Sequence, residues 1–160
     1  MTTLRNKFQR ILVPVNGSDL DAEAVQLAAG TAQRTGGELI LVSIVVVERT
    51  LPLDADLPEA VSKAEAALDR AERVADRYHV THTSELLQAR ATGPAIVDEA
   101  RSRNADLIVL GISYRKRFGE FYLGQTTPFV LEYAPCRTWV VREKRDAVNP
   151  PMDPAMAETA

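Results

Sequence analysis

The sequence predicts an α/β fold: a doubly wound, five-stranded parallel sheet of order 3-2-1-4-5, with four helices in a three-layer sandwich. Two observations predict it. Short apolar runs alternate with stretches of helical periodicity along the whole chain, and the longest run, LILVSIVVV, is almost uninterrupted by polar residues. Alternation of this kind implies right-handed crossovers and a parallel sheet. A continuous apolar run fits a strand that helices cover on both faces.

The first strand and helix are predicted from residues 10–37. Residues 10–15 form an apolar run that predicts a buried strand. Ser18 follows as the expected helix N-cap, with Asp21 three residues later in a near capping box. The Gly36-Gly37 pair is expected to end the helix. One helical face collects the apolar side chains Val25, Ala28, Ala29 and Ala32.

The middle of the chain gives the second and third strands. Residues 38–47 hold the long apolar run. Residues 48–59 contain prolines and acids, which predict a loop long enough to act as a mobile flap. Helical spacing of apolar residues resumes over 61–78. Residues 83–91 predict a third, weaker strand.

The last third of the chain completes the pattern. Gly93-Pro94 opens the third helix, with proline in the first turn, where its missing N–H has no cost. Residues 106–110 predict the fourth strand, and 112–123 predict a loop. A helix of about ten residues follows and ends before Pro135. The run RTWVV at 137–141 predicts the fifth strand.

Size and composition limit what the protein does. We expect one domain over residues 1–145 and a disordered tail over 146–160, which has nothing to bury. The formal net charge of −3 argues against nucleic-acid binding. No apolar run reaches the roughly 18 residues of a membrane helix, and the N-terminus is unlike a signal peptide, so we expect a cytoplasmic protein without direct membrane insertion. The single cysteine, Cys136, allows no internal disulfide and is expected to be a small buried residue.

Two glycine-ended stretches are expected to meet at one point. Residues 11–18 (ILVPVNGS) follow the first strand, and residues 107–111 lead through Gly124 to Thr127 after the fourth. In this topology strands 1 and 4 are neighbours, and ligands bind at their carboxyl ends. Glycine turns that lead into helices also expose backbone N–H groups that attract phosphate.

These two stretches and the neighbouring second strand supply the residues that we expect to contact a nucleotide. They lie on strands 1, 2 and 4, in the loop after strand 4 and in the first turn of the last helix. The predicted contact residues are Pro14, Val15, Asn16, Ser43, Ile44, Leu110, Gly111, Tyr114, Arg115, Arg117, Gly124, Gln125, Thr126 and Thr127.

The same residues resemble the universal stress protein family. The likeness covers residues 8–142, and its markers are ILVPVNGS, ADLIVLG, the Gly124 turn and YAPCRTWVV. The resemblance implies a Rossmann-like sandwich that is commonly a homodimer. In many members of the family, though not in all, the switch-point crevice binds ATP or another adenine nucleotide, so the resemblance implies such a ligand here, with Mg²⁺ only if ATP is bound.

Three positions depart from the family's nucleotide-binding pattern, G-x2-G-x9-G-[S/T]. Gly111 and Gly124 match it, whereas Tyr114 replaces the second glycine and Gln125 replaces the hydroxyl residue. Asn16 stands where the family has the acidic residue that faces the adenine. Since a tyrosine fills space that glycine leaves open, Tyr114 would either block the pocket or swing out and stack on a ligand.

The basic run Arg115-Lys116-Arg117 allows three interpretations. It is a solvated charge run, a set of cations that pairs a phosphate, or a docking patch for an acidic partner. The RKRFG variant of the loop also resembles the form of the domain that accompanies membrane transporters. A transporter is therefore one expected partner.

Catalytic and metal sites are not predicted. His79 and His82 lie at a helix-to-strand junction without a third ligand at suitable spacing. Ser18 lacks the nucleophile-elbow pattern, and the P-loop motif is absent. Asp19 and Asp21 favour the dipole of the first helix, or hold Mg²⁺ through water if ATP binds. We expect no enzyme; a slow ATPase or self-phosphorylating protein is the third hypothesis.

The last strand predicts a dimer. If it forms the sheet edge, the run Thr138, Trp139, Val140 and Val141 leaves backbone groups and apolar side chains to pair with a second copy; the alternative is that Trp139 packs on the last helix. The leading functional hypothesis is a stress-response regulatory module that binds an adenine nucleotide and so changes a partner surface. The alternative is a dimeric module that acts at a membrane transporter without nucleotide.

Overall fold

The structure is a computed structural model that describes residues 7–114 and 116–145, except for the side chains of Lys116 and Arg117. Strands and helices alternate through most of this part of the chain. In chain order they are β1 (Arg10–Pro14), α1 (Leu20–Thr35), β2 (Glu38–Val46), α2 (Pro58–Arg77), β3 (His82–Ala89), α3 (Thr92–Ser102), β4 (Leu107–Ile112), β5 (Lys116–Arg117), β6 (Glu120–Phe121), α4 (Thr126–Tyr133) and β7 (Arg137–Arg142).

The main sheet confirms the predicted fold class. Its order is β3-β2-β1-β4-β7, with every neighbouring pair parallel. This is the predicted order 3-2-1-4-5 when only strands of this sheet are counted. β1 pairs with β2 on one side and with β4 on the other, so the switch point lies between β1 and β4.

The prediction of a loop over residues 112–123 is wrong in one respect. Part of it forms a short antiparallel hairpin, β5–β6, in which Lys116 pairs with Phe121 and Arg117 with Glu120. Strands of two residues are too short to show a periodic pattern. The turn residues Phe118-Gly119 also lack the Asn-Gly or Asp-Gly signature typical of hairpins.

The core has two layers, one on each face of the sheet. Side chains of α1 and α2 pack against one face, and side chains of α3 and α4 pack against the other. Ile11 and Val13 point into the first layer, whereas Leu12 points into the second, as alternation along a strand requires. The predicted apolar face of α1 is confirmed, since its four residues are all fully buried: Val25, Ala28, Ala29 and Ala32.

The start of α1 corrects the predicted cap. The helix begins at Leu20 after Asp19, and no side chain caps it. Ser18 instead accepts the Asp21 amide through its backbone oxygen. The end of the helix is as predicted, because Gly36 adopts the left-handed conformation, with φ +73°.

The loop after β2 is tied to the end of β3. One guanidinium nitrogen of Arg90 donates to the carbonyl oxygens of Val47, Glu48 and Leu51. The Gln88 amide donates to the carbonyl of Ala55. The predicted flap is thus held by side-chain hydrogen bonds at several points along its length.

Three further predictions concern the cysteine, the C-terminal tail and membrane-spanning helices. Cys136 is only partly buried, where burial and the nearby Asp106 raise the pKa of its thiol. The predicted disordered tail, 146–160, lies outside the described residues. Within the part of the chain that the structure covers, no helix is both long and apolar enough to cross a bilayer.

Candidate functional site

A cavity of about 300 Å³ lies at the carboxyl ends of β1 and β4. This is the lower end of the size range of small-molecule sites. Its walls come from the turn after β1, the end of β4, the start of α3 and the segment that leads into α4. The lining residues are Pro14, Val15, Asn16, Ser18, Asp21, Ile44, Thr92, Ile96, Leu110, Gly111, Ile112, Ser113, Tyr122, Leu123, Gly124, Gln125, Thr126 and Thr127.

Most residues predicted to contact a nucleotide lie around this cavity. Asn16 and Gly124, which are 108 positions apart in the sequence, line the same hollow. Arg115 and the side chain of Arg117 lie outside the described residues. The predicted residues in the wall are Pro14, Val15, Asn16, Ile44, Leu110, Gly111, Gly124, Gln125, Thr126 and Thr127.

Ser43 does not line the cavity, contrary to the prediction. It is 3% exposed and precedes Ile44, which does line the cavity, on β2. Successive side chains of a strand point to opposite faces of the sheet. Ile44 packs with the α3–α4 layer, so Ser43 belongs to the opposite face.

Tyr114 does not plug the cavity either. Its ring stacks on Phe121, with 5.3 Å between ring centroids. The guanidinium carbons of Arg142 and Arg145 lie 5.4 and 4.9 Å from the centre of the Tyr114 ring. Its amide donates to a carboxylate oxygen of Glu143 at 3.0 Å. The ring therefore fastens the hairpin to the end of β7, and the space that Tyr114 was predicted to fill or cover stays open.

The turn after β1 is organised around one carboxylate. Asp21 accepts the amide of Gly17 at 2.7 Å and the amide of Asn16 at 3.1 Å. The side-chain oxygen of Asn16 accepts the Ser18 amide at 3.0 Å. Partial burial raises the pKa of Asp21, against the lowering effect of these amides and of Arg70. The turn is therefore closed by its own hydrogen bonds.

These bonds also orient the Asn16 side chain. Because a backbone amide can only donate, the atom facing Ser18 must be the oxygen of the Asn16 amide. The Asn16 amino group donates to no atom in the part of the chain that the structure describes. Asn16 therefore presents a hydrogen-bond donor at the cavity wall.

The segment that enters α4 supplies the opposite wall. Gly124 has φ +75°, and a Cβ placed there would meet nothing within 4 Å. Its backbone conformation, and not crowding, is what favours glycine. α4 starts at Thr126, and the amides of its first turn have no partner within the helix. Pro128 sits in this turn, where it sacrifices no helical hydrogen bond.

The sequence did not reveal the contribution of α3. Thr92 and Ile96 line the cavity from the start of that helix. A Cβ on Gly93 would lie 3.0 Å from the Phe129 ring, so α3 and α4 approach closely beside the site. The Gly93-Pro94 start was visible in the sequence, but its position next to the cavity depends on tertiary packing. The other lining residues that were not predicted are Ser18, Asp21, Ile112, Ser113, Tyr122 and Leu123.

The chemistry of the wall fits a ligand with a flat apolar part and an anionic part. Val15, Ile44 and Leu110 offer apolar surface. The hydroxyl groups of Thr126 and Thr127 stand with the backbone donors at the start of α4. Among residues 7–114 and 116–145, no group of three or more His, Cys, Asp or Glu side chains is placed to hold a metal ion.

Known proteins of the same kind share this architecture. The model of the universal stress protein family matches residues 7–142. A universal stress protein of Thermus aquaticus is 31% identical over 140 residues, which cover 84% of this chain and 99% of that protein. One from Methanocaldococcus jannaschii is 27% identical over 146 residues, covering 88% and 85%. The solved structure of the Archaeoglobus fulgidus protein in complex with dAMP has a TM-score of 0.67 at 23% identity and covers 84% of this chain and 98% of that one. This chain therefore belongs to the universal stress protein family.

Proposed function

We propose that this protein is a regulatory module that binds an adenine nucleotide in the cavity between β1 and β4. The observation that carries the proposal is that the Asn16 turn and the Gly124–Thr127 segment line one open hollow. The first supplies a polar contact beside apolar walls, and the second supplies amides at a helix start, where anions are favoured.

The solved relative supports the choice of ligand. The Archaeoglobus fulgidus protein of the same fold was determined with dAMP. An adenine nucleotide has a flat base, which suits the apolar walls, and an anionic phosphate, which suits the start of α4. ATP, with Mg²⁺ held by its phosphates, is one member of that ligand class, since the described residues supply no metal cage of their own.

The bound nucleotide would lie with its base toward Val15 and Ile44 and its phosphate toward Thr126. The Asn16 amino group would donate to a ring nitrogen of the base, because its oxygen is already bonded to Ser18. An aspartate at this position could only accept. Asn16 would therefore recognise an acceptor nitrogen of the adenine ring, whereas an aspartate would accept from the exocyclic amine.

Binding would act on partners through the segment after β4. Ser113 and Tyr122 line the cavity on either side of the β5–β6 hairpin, so a ligand would contact both ends of that segment. Ordering both ends would change the surface that the hairpin presents. Regulation by ligand-dependent contact needs no catalytic group, and we propose no enzymatic activity.

A homodimer through β7 is part of the proposal. β7 lies at the edge of the main sheet, and Trp139 and Val140 are 38% and 37% exposed. Trp139 packs edge-on against Phe8 at 5.2 Å, which differs from the alternative of packing on the last helix. An apolar edge strand favours pairing with a second copy. Light scattering should give twice the chain mass, and Val140→Glu should give the monomer.

Calorimetric titration tests the ligand directly. We expect heat with AMP, dAMP, ADP or ATP and a weaker response with GMP. Mass spectrometry of the purified protein under non-denaturing conditions should detect any ligand that it retains. If none of these nucleotides gives heat at millimolar concentration, the ligand proposal is overturned, and the dimeric module acting at a transporter without nucleotide becomes the better account.

A further inference from the structure

The connection from β2 to α2 exposes apolar side chains beside the end of the sheet. This β2–α2 loop runs over residues 47–57, whereas connections between a strand and a helix are commonly about 2–6 residues long. Leu51 and Leu53 are 39% and 48% exposed, and Val46, the last residue of β2, is 51% exposed. One exposed apolar side chain is ordinary, but several in one short segment indicate a contact surface.

The β2–α2 loop is held in one shape although it is exposed. Two successive turns are closed by backbone hydrogen bonds of 3.0 Å, from the Leu51 amide to the Glu48 carbonyl and from the Ala55 amide to the Pro52 carbonyl. Side-chain donors at the end of β3 hold further carbonyl oxygens of the loop. A surface that is already ordered loses little conformational freedom when a partner binds, which favours its use as a contact site.

Acidic side chains flank the exposed leucines. Residues 46–59 contain one basic residue, Arg49, and four acidic ones: Glu48, Asp54, Asp56 and Glu59. All four acidic residues are exposed, and none of them makes an ion pair with a side chain that the structure describes. The segment therefore combines apolar surface with uncompensated negative charge, and a positively charged partner would complement it.

We propose that the β2–α2 loop docks a basic amphipathic segment of a partner protein, in which lysine or arginine side chains flank an apolar face. The apolar face covers Leu51 and Leu53, and the cations lie against the carboxylates on either side of them. Burial of apolar surface supplies the affinity, whereas the opposite charges select the partner and speed its association. A helix with one apolar and one basic face is a common form of such a segment.

The charge of the loop disfavours other occupants. In a symmetric pair of copies each loop would meet its own equivalent, so carboxylates would lie against carboxylates. Anionic lipid headgroups would repel the loop for the same reason. The loop is bonded to β3, which lies at the opposite edge of the main sheet from β7. The proposed dimer through β7 therefore leaves the loop free for a different partner.

Fluorescence anisotropy with model peptides tests the proposal on the full chain. The probe is a labelled leucine–lysine peptide of about 18 residues, long enough to form a helix, with its leucines at helical spacing. One control peptide has glutamate in place of lysine, and the other has the same composition in scrambled order. We expect the probe to bind roughly tenfold more tightly than either control, and salt to weaken it. Equal binding of the probe and the glutamate peptide overturns the proposal.

Substitution of the two leucines locates the binding site. Replacing Leu51 and Leu53 together by glutamine should lower affinity for the probe about tenfold, because both side chains lose their apolar contact. The matched control is Leu27→Gln, which removes a leucine of 48% exposure from α1 and should bind like the native protein. The proposal is overturned if the double variant binds like the native protein, or if Leu27→Gln loses as much affinity.

Substitution of two acids tests the same site without altering an apolar contact. Asp54→Asn with Asp56→Asn should weaken binding of the probe at low salt and make it less sensitive to salt. Glu65→Gln with Asp69→Asn removes the same charge from exposed positions of α2 and should have a much smaller effect. Equal effects of the two pairs would mean that the probe responds only to the net charge of the protein, which overturns the proposal.

Two further measurements distinguish the other occupants. Light scattering should give the native protein and the double leucine variant the same mass; a smaller mass for the variant would mean that a second copy covers the loop. Neither protein should sediment with phosphatidylcholine vesicles. Binding to these vesicles that the leucine substitutions remove would identify a lipid surface as the occupant. Either result overturns the proposal of a basic protein partner.

Discussion

The two walls of the cavity are built in different ways. The turn after β1 spans residues 15–19, and Asp21 closes it from the first turn of the next helix. The segment after β4 runs from Ser113 to Gln125 and is fastened to β7 through Tyr114. One wall is held by contacts within itself and the other by contacts with a distant strand. We therefore expect the first wall to stay fixed. We expect the second wall to move when a ligand binds or when the contacts at the sheet edge change.

Removing the carboxylate of Asp21 should have the largest effect. Asp21→Ala leaves the partly buried Gly17 amide without its acceptor, and an unmet buried hydrogen bond costs about 1–3 kcal/mol. The Asn16 amide also loses its acceptor, but it is exposed and can bond to water. We expect a lower melting temperature and at least a tenfold loss of AMP affinity, measured by calorimetry. Asp19→Ala is the matched control, because Asp19 makes no side-chain cap bond. Equal losses in both variants would contradict the role given to Asp21.

Gly124→Ala tests the second wall. A residue with a Cβ at φ +75° costs roughly 1–2 kcal/mol, although nothing crowds the position. Gly119→Ala introduces the same kind of strain at φ +80°, away from the cavity. Stability should fall in both variants, and AMP affinity only in Gly124→Ala. The comparison fails if the two variants lose affinity equally.

Tyr114→Leu should loosen the second wall without enlarging the cavity. It removes the stack on Phe121, and aromatic pairs contribute about 0.5–1.5 kcal/mol. Hydrogen exchange of residues 116–121 should become faster, while AMP affinity falls by a few fold at most. Tyr114→Phe keeps the stacking ring and should behave like the native protein. Markedly tighter binding in Tyr114→Leu would show that the ring obstructs the site after all.

The smallest expected effect is a pH dependence from the first wall. Burial raises the pKa of Asp21 above its ordinary value of 3.8, so the folded protein favours the protonated form more than the unfolded chain does. The stability of the native protein relative to Asp21→Asn should therefore fall as pH rises from below 3.8 through the raised pKa. Thermal melting of the native protein and of Asp21→Asn across that pH range measures this difference in stability. If the native protein gains stability relative to the variant as pH rises, the sign predicted here is wrong.

The sequence predicted the sheet, the helices and the switch point because these follow from local patterns. Apolar runs and helical spacing are properties of neighbouring residues, and the parallel order follows from their alternation. The positions of the Ser43 and Tyr114 side chains could not be predicted in the same way. Ser43 depends on which face of β2 meets α3, and Tyr114 depends on contacts with β7 that lie almost thirty residues along the chain.

Asp21 is a residue that the sequence pattern located correctly but whose hydrogen-bond partners it did not predict. Its spacing from Ser18 suggested a helix cap, yet the carboxylate turns back to the amides of the preceding turn. The pattern identified the correct residue and the correct locality but not the groups that it bonds. Side-chain direction at a helix start depends on the incoming backbone, which a three-residue spacing does not specify.

The pairing of β4 with β7 has a consequence for how such a protein would signal. Gly111 borders the cavity and is the register partner of Val141 on the edge strand. Adjacent strands lie about 4.8 Å apart, so only one strand-to-strand step separates the cavity from the edge of the sheet. If the proposed ligand and the proposed second copy both bind, they would contact the same pair of strands from its two sides, and no long chain of contacts would be needed to couple them.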